Sequence, residues 1–194
     1  MKLRYLGDSY DIIKQSMLGW LSCFGRWQTH PMFTEEVSGA DADAFAIFLG
    51  TPLVSLQVLT SRVDRSRYFD TFGHSGHLFL DPDTGVRLAN PRRPSPGHIY
   101  GGELVAIVSA RPTSLTLVFD QSFTRGSAER ELNEKFAFLH RHQIAVVAYW
   151  SHAPFLLLSR DLVLLDRATE HVVSASRLPR WRLRHPEYRF SKLR

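Results

Sequence analysis

Three apolar runs in this chain each hand an aspartate to a turn. They are Tyr5-Leu6-Gly7-Asp8-Ser9-Tyr10-Asp11, His77-Leu78-Phe79-Leu80-Asp81-Pro82-Asp83-Thr84-Gly85, and Leu117-Val118-Phe119-Asp120-Gln121-Ser122. A buried strand that ends on a carboxylate delivers an acid to the edge of a sheet, where open α/β folds bind ligands. Carboxylates gathered there hold Mg²⁺ or Mn²⁺, and such an ion activates water or bridges phosphate oxygens. On this reading Asp81, Asp83 and Asp120 hold the metal, and Asp8 or Asp11 assists. Lys14 offsets phosphate charge. Aspartate also caps helices and shapes turns without any ligand. The recurrence of the pattern, more than any one acid, therefore points to a site.

The elements that must position these groups follow from apolar spacing. Residues 3–6 read as a short first strand. Ile12, Ile13, Met17, Leu18, Trp20, Leu21 and Phe24 then recur at helical spacing, with Asp8 or Ser9 as N-cap and Gly25 as the stop. Residues 26–33 read as a second strand, 38–50 as a helix and 52–59 as a third strand. The polar stretch 60–76 is an excursion over the site. Residues 77–80 make the fourth strand, the proline-rich 90–97 a loop, and 102–110 a short helix. A fifth strand covers 114–120, and the clearest helix covers 127–142, with Leu132, Phe136 and Leu139 inward. Residues 144–150 and 155–158 form a hairpin that 162–165 extend. This alternation predicts an α/β fold, a single three-layer sandwich of Rossmann-like form. Its sheet is mostly parallel with a C-terminal antiparallel hairpin. Phe79, Leu80, Leu117, Val118, Phe119, Val146 and Val147 are expected in central strands, and strands one, four and five deliver their acids to one edge.

Composition sets the outer bounds. A chain of 194 residues with 44% hydrophobic and 22% charged residues fits one domain with a sizeable core. No apolar run approaches the roughly 20 residues that span a bilayer, and the N-terminus leads directly into Gly7-Asp8 without a signal peptide. The single cysteine, Cys23, excludes an internal disulfide and a multi-cysteine zinc site. A cytoplasmic, reduced protein without membrane association is expected. The net charge of +5 is uneven: residues 177–194 hold six arginines and one lysine against one acid, interleaved with Trp181, Tyr188 and Phe190. We therefore divide the chain into an α/β domain, residues 1–176, and a basic tail, 177–194. Arginine with aromatics suits phosphate backbones and stacked bases, so Arg177, Arg180, Arg182 and Arg184 are candidate nucleic-acid contacts. A polar tail folded over the domain is the plainer alternative.

Several families are resembled in part. Gly7-Asp8-Ser9 resembles the opening block of the GDSL (SGNH) hydrolases, but the sequence lacks their Asp-x-x-His and Gly-x-Asn-Asp, and a serine without a base is not activated. Asp81-Pro82-Asp83-Thr84 resembles the Asp-x-Asp signatures of haloacid-dehalogenase-like phosphatases and metal-dependent glycosyltransferases, although Gly85 stands where the phosphatases place threonine. The terminal hairpin and the fourth-strand Asp81-Pro82 resemble class I methyltransferases acting on nucleic-acid bases. That likeness implies S-adenosylmethionine as cofactor, and Gly7-Asp8-Ser9 departs from it by lacking a second glycine. Over most of the first 160 residues the chain is similar to a group of uncharacterised bacterial proteins. They share the blocks found here at Tyr5 to Lys14, Phe79 to Gly85, Leu117 to Ser122 and Ser151 to Ala153. That likeness brings no known activity; it implies His152 as a member of the site.

These readings lead with a metal-dependent phosphodiesterase or nuclease-like protein. Beside it stand a methyltransferase-like domain, active or degenerate, that binds a nucleotide-like ligand, and a non-catalytic module that binds nucleic acid or a partner.

Overall fold

The computed structural model of the chain describes residues 5–70 and 75–186. In order, its elements are α1 (Ser9–Leu21), β1 (Trp27–His30), α2 (Gly39–Leu49), α3 (Arg65–Asp70), β2 (His77–Leu80), β3 (Gly85–Arg87), β4 (His98–Tyr100) and α4 (Gly101–Ser109). There follow β5 (Thr116–Phe119), α5 (Ala128–Arg141), β6 (Ala145–Tyr149), β7 (Phe155–Ser159), α6 (Leu162–Ser176) and β8 (Leu183–Arg184).

Successive residues of a strand face opposite sides of its sheet, and in the central strands both sets are apolar. Leu78, Leu80, Val118, Val146, Leu156 and Leu158 meet Phe69, Leu104 and Phe136, from α3, α4 and α5, in one core. Phe79, Leu117, Phe119, Val147, Phe155 and Leu157 meet Met17, Phe45 and Ala168, from α1, α2 and α6, in the other. The seven residues expected in central strands are all buried.

The main sheet runs β1-β2-β5-β7-β6-β8, and β3 with β4 forms a separate parallel pair. β1, β2 and β5 are parallel neighbours, while β7 runs antiparallel to both β5 and β6, and β8 antiparallel to β6. The expected mostly parallel sheet is thus a mixed one. The connection between β6 and β7, residues 150–154, is too short for a crossover, which needs a dozen residues or more. β7 must therefore return antiparallel, and it inserts between β5 and β6.

Other expectations need correction. Residues 5–8 form a turn, not the end of a strand, closed by the Asp8 N–H donating to the Tyr5 carbonyl at 3.0 Å; residues 3 and 4 lie outside the described residues. Residues 52–59 touch the sheet at one bridge, Leu53 with Thr29. Beyond it Ser55 Oγ takes the Gln57 N–H at 3.1 Å, a local bond that competes with a ladder. Residues 162–165 are the first turn of α6, capped by Asp161, which accepts from Leu164 N at 2.9 Å. β8 ties residues 183 and 184 of the expected tail into the sheet. No helix among the described residues is long and apolar enough to cross a membrane.

Candidate functional site

Strand parity decides where the acids go. Leu80 lies in the core against α3, α4 and α5, so Asp81, one residue on, turns to α1. Phe119 lies in the core against α1, α2 and α6, so Asp120 turns to α5. The two acids leave adjacent parallel strands at the same sheet edge, yet on opposite faces.

On the α1 face the Lys14 ammonium bridges two carboxylates, donating to Asp11 Oδ1 at 2.9 Å and Asp81 Oδ2 at 3.0 Å. All three side chains are buried, at 3%, 2% and 1% exposure. Asp11 Oδ2 accepts the Gly7 N–H at 3.1 Å, the Asp81 N–H donates to the His30 carbonyl at 3.0 Å, joining the ends of β2 and β1, and Lys14 ties α1 to them through Asp81. Lys14 Nζ also lies 4.6 Å from the centre of the Phe119 ring. Burial lowers the affinity of Lys14 for its proton, but Asp81 and Asp11 outweigh it, and the ammonium is held above its ordinary range. One cation serves two anions, and burial pushes the Asp81 carboxyl up despite Lys14. Among the described residues, Asp81 Oδ1 is buried and has no hydrogen-bond partner.

Around this clamp, Asp8 is the N-cap of α1, accepting from Tyr10 N at 2.9 Å and Asp11 N at 3.0 Å. Tyr10 meets Phe119 edge-on with ring centres 5.9 Å apart, and His152 at 5.7 Å. His152 is exposed in the β6–β7 turn. Asp8, Asp11, Lys14, Asp81 and His152 are therefore brought to one part of the edge. Asp83 is not among them. It lies beyond Pro82 beside Gly97, where the Thr84 N–H donates to the Gly97 carbonyl at 2.7 Å.

On the α5 face Asp120 is fully buried and saturated. Its Oδ1 accepts from Val86 N at 2.9 Å, Ser122 N at 3.2 Å and Ser122 Oγ at 2.7 Å, while Oδ2 accepts from Lys135 Nζ at 2.5 Å. Lys135 donates also to Ser122 Oγ at 2.8 Å. Burial holds the Lys135 ammonium below its ordinary range against the pull of Asp120. Through Val86 this acid docks the β3–β4 pair on the sheet. Gly85 sits against it at φ +124°, where an added Cβ would collide with Asp120 Oδ1.

Asp81, Asp83 and Asp120 thus do not assemble, and no group of three or more histidine, cysteine or acidic side chains is placed to hold a metal ion among the described residues. Of the tail arginines, Arg177 ends α6 in the left-handed conformation, Arg180 is paired with Glu170 at 2.5 Å, Arg182 donates to the Trp150 carbonyl at 3.0 Å, and Arg184 lies 4.0 Å from Glu129. No family model matches the chain, and no curated protein or solved structure matches it either.

Sequence reasoning passed over Lys135, Ser122 and His30. Lys135 carried a signal, since it interrupts the apolar stripe Leu132, Phe136, Leu139 on α5 and so had to be buried with a partner. His30 ends β1 beside Asp81, its ring buried against Tyr68 and Phe69 with centres 4.9 and 6.0 Å away.

Proposed function

We propose that the chain is a three-layer, Rossmann-like α/β domain that binds a nucleotide-like ligand at the carboxyl edge of β1, β2 and β5, as a methyltransferase-like domain would. The parallel neighbours β1, β2 and β5 and the cores on both faces of the sheet support the architecture. One observation carries the ligand class: among the described residues, Asp81 Oδ1 is a buried acceptor without a donor at that edge. A buried polar atom left unmatched calls for an explanation, and an amino or hydroxyl group of a nucleoside supplies the donor. Lys14 already provides the cation, so the ligand need not bring one. With Asp81 at 1% exposure, the ligand enters by displacing part of the cover, and Tyr10 and His152 stand at the side that meets solvent.

Calorimetric titration with S-adenosylmethionine, adenosine and AMP tests this. At least one is expected to bind, and Asp81→Asn, which keeps the shape but replaces the acceptor oxygen or its charge, weakens it about tenfold or more. No binding by any of the three, or equal binding by the variant, overturns the proposal. The other reading, metal-dependent phosphodiester hydrolysis, has in its favour that Asp81 and Asp120 end neighbouring strands. It requires Mg²⁺ or Mn²⁺ to displace Lys14 or Lys135 from its acid, and titration of the protein with either ion decides it.

A further inference from the structure

The far edge of the sheet carries a surface that the nucleotide-site reading does not use. Among the described residues β8 pairs with β6 alone, and it is preceded by a single helical turn, Arg180–Arg182. In that turn Trp181 is 61% exposed. The Arg182 guanidinium packs on its ring at 4.3 Å. Arg182 is itself anchored, because its Nη1 donates to the Trp150 carbonyl at 3.0 Å and its own carbonyl accepts from Trp150 N at 2.7 Å. A guanidinium has five N–H donors, so one bond to a carbonyl leaves others for a ligand. Arg184 follows along the edge and lines a cleft of about 110 Å³ with Asn133, Trp150 and His185.

A large aromatic face held in solvent, with an anchored arginine, a second arginine along the edge and a small part-aromatic cleft beside it, is the combination that binds unpaired bases and their phosphates. The pairs Arg180–Glu170 and Arg184–Glu129 lie in solvent, where phosphate competes with carboxylate. β8 is two residues long and offers no element to enter a duplex groove. We propose that this edge binds single-stranded nucleic acid, with a base stacked on the open face of Trp181 and phosphates on Arg182 and Arg184.

The test is fluorescence anisotropy of a labelled oligothymidylate with the full chain at several salt concentrations. Binding is expected to weaken linearly in log[salt], and Arg184→Gln to reduce that slope by about 0.7, the value of one lost phosphate contact on a single strand. Trp181→Ala should weaken binding about fivefold or more, and Trp181→Phe should restore most of it. Trp181 is exposed and Arg184 half-exposed, so both variants are expected to fold, which circular dichroism checks. Unchanged affinity of Trp181→Ala overturns the proposal. So does phosphatidylserine vesicle binding as strong as oligonucleotide binding, which would assign the surface to membranes instead.

Discussion

Two buried side chains show what the carboxyl edge demands of single residues. Lys14 neutralises Asp11 and Asp81 at once, so Lys14→Met removes the ammonium that pairs both buried carboxylates. Removing one partner of a buried pair costs about 3–5 kcal/mol, which urea denaturation at pH 8 will read. The deficit should shrink as pH falls, because protonating Asp81 removes an unpaired charge; a pH-independent deficit would mean that Lys14 matters only for packing. His30 works in the opposite sense. Burial holds its ring neutral and lowers its pKa from 6.5 to about 3. The unfolded chain therefore takes up this proton first as pH falls. The contribution to stability is complete above pH 6.5 and is lost progressively down to pH 3. Between pH 7 and pH 5 the loss is about 2 kcal/mol. Comparing the urea stability of the wild type with that of His30→Gln at both pH values isolates it, since the variant lacks this slope.

Among the elements, α1 and the β3–β4 pair are fixed by different devices. Asp8 caps α1 through two backbone N–H groups, and Asp8→Ala should cost about 1 kcal/mol, with Asp8→Asn restoring it. If Asp8→Asn is stable yet loses ligand binding, the residue serves the site as well as the helix. The β3–β4 pair is held on the sheet by Asp120 through Val86 and by Ser122 Oγ, which lies 2.7 Å from the Val86 carbonyl as from Asp120 Oδ1 and shares its one proton between them. Gly85→Ala places a methyl group against Asp120 and, 2.8 Å away, Gln121 N. Because Gly126 also has positive φ but open space around it, Gly126→Ala reports the backbone strain alone. Gly85→Ala should exceed it by at least about 1 kcal/mol in thermal or urea unfolding.

For the whole molecule, the sheet is the shared wall of two cores, and β5 stands between parallel β2 and antiparallel β7. Val118 is fully buried there, facing α3, α4 and α5. A charge at that position has no partner and costs several kcal/mol whether it ionises or takes up a proton. Val118→Asp should therefore fail to give a soluble, cooperatively unfolding protein. A variant that unfolds cooperatively near the wild-type urea midpoint would contradict this account of the sheet.

Local pattern was enough to determine the central strands, the helices α1, α2, α4 and α5 and the β6–β7 hairpin. Each is written in apolar spacing, caps or connection length, which act over a few residues. It also placed Asp8, Asp11, Lys14 and Asp81 near one edge, to which only the resemblance to the bacterial proteins added His152. Tertiary structure alone decided the rest. Residues 52–59 and 162–165 are apolar enough for strands, but one lost its ladder to local bonds and the other gained a cap and a helix face against the sheet. The acids were legible as acids and not as partners, because side chains reverse face at every residue of a strand. Asp81 and Asp120 leave adjacent strands one register position apart, and that offset separates them by the thickness of the sheet. Each then meets a lysine from a helix that no sequence spacing connects to it: Lys14, 67 residues before Asp81, and Lys135, 15 residues after Asp120. Only packing of both helices against opposite faces brings those charges together, because an isolated buried carboxylate is too costly to remain without a partner.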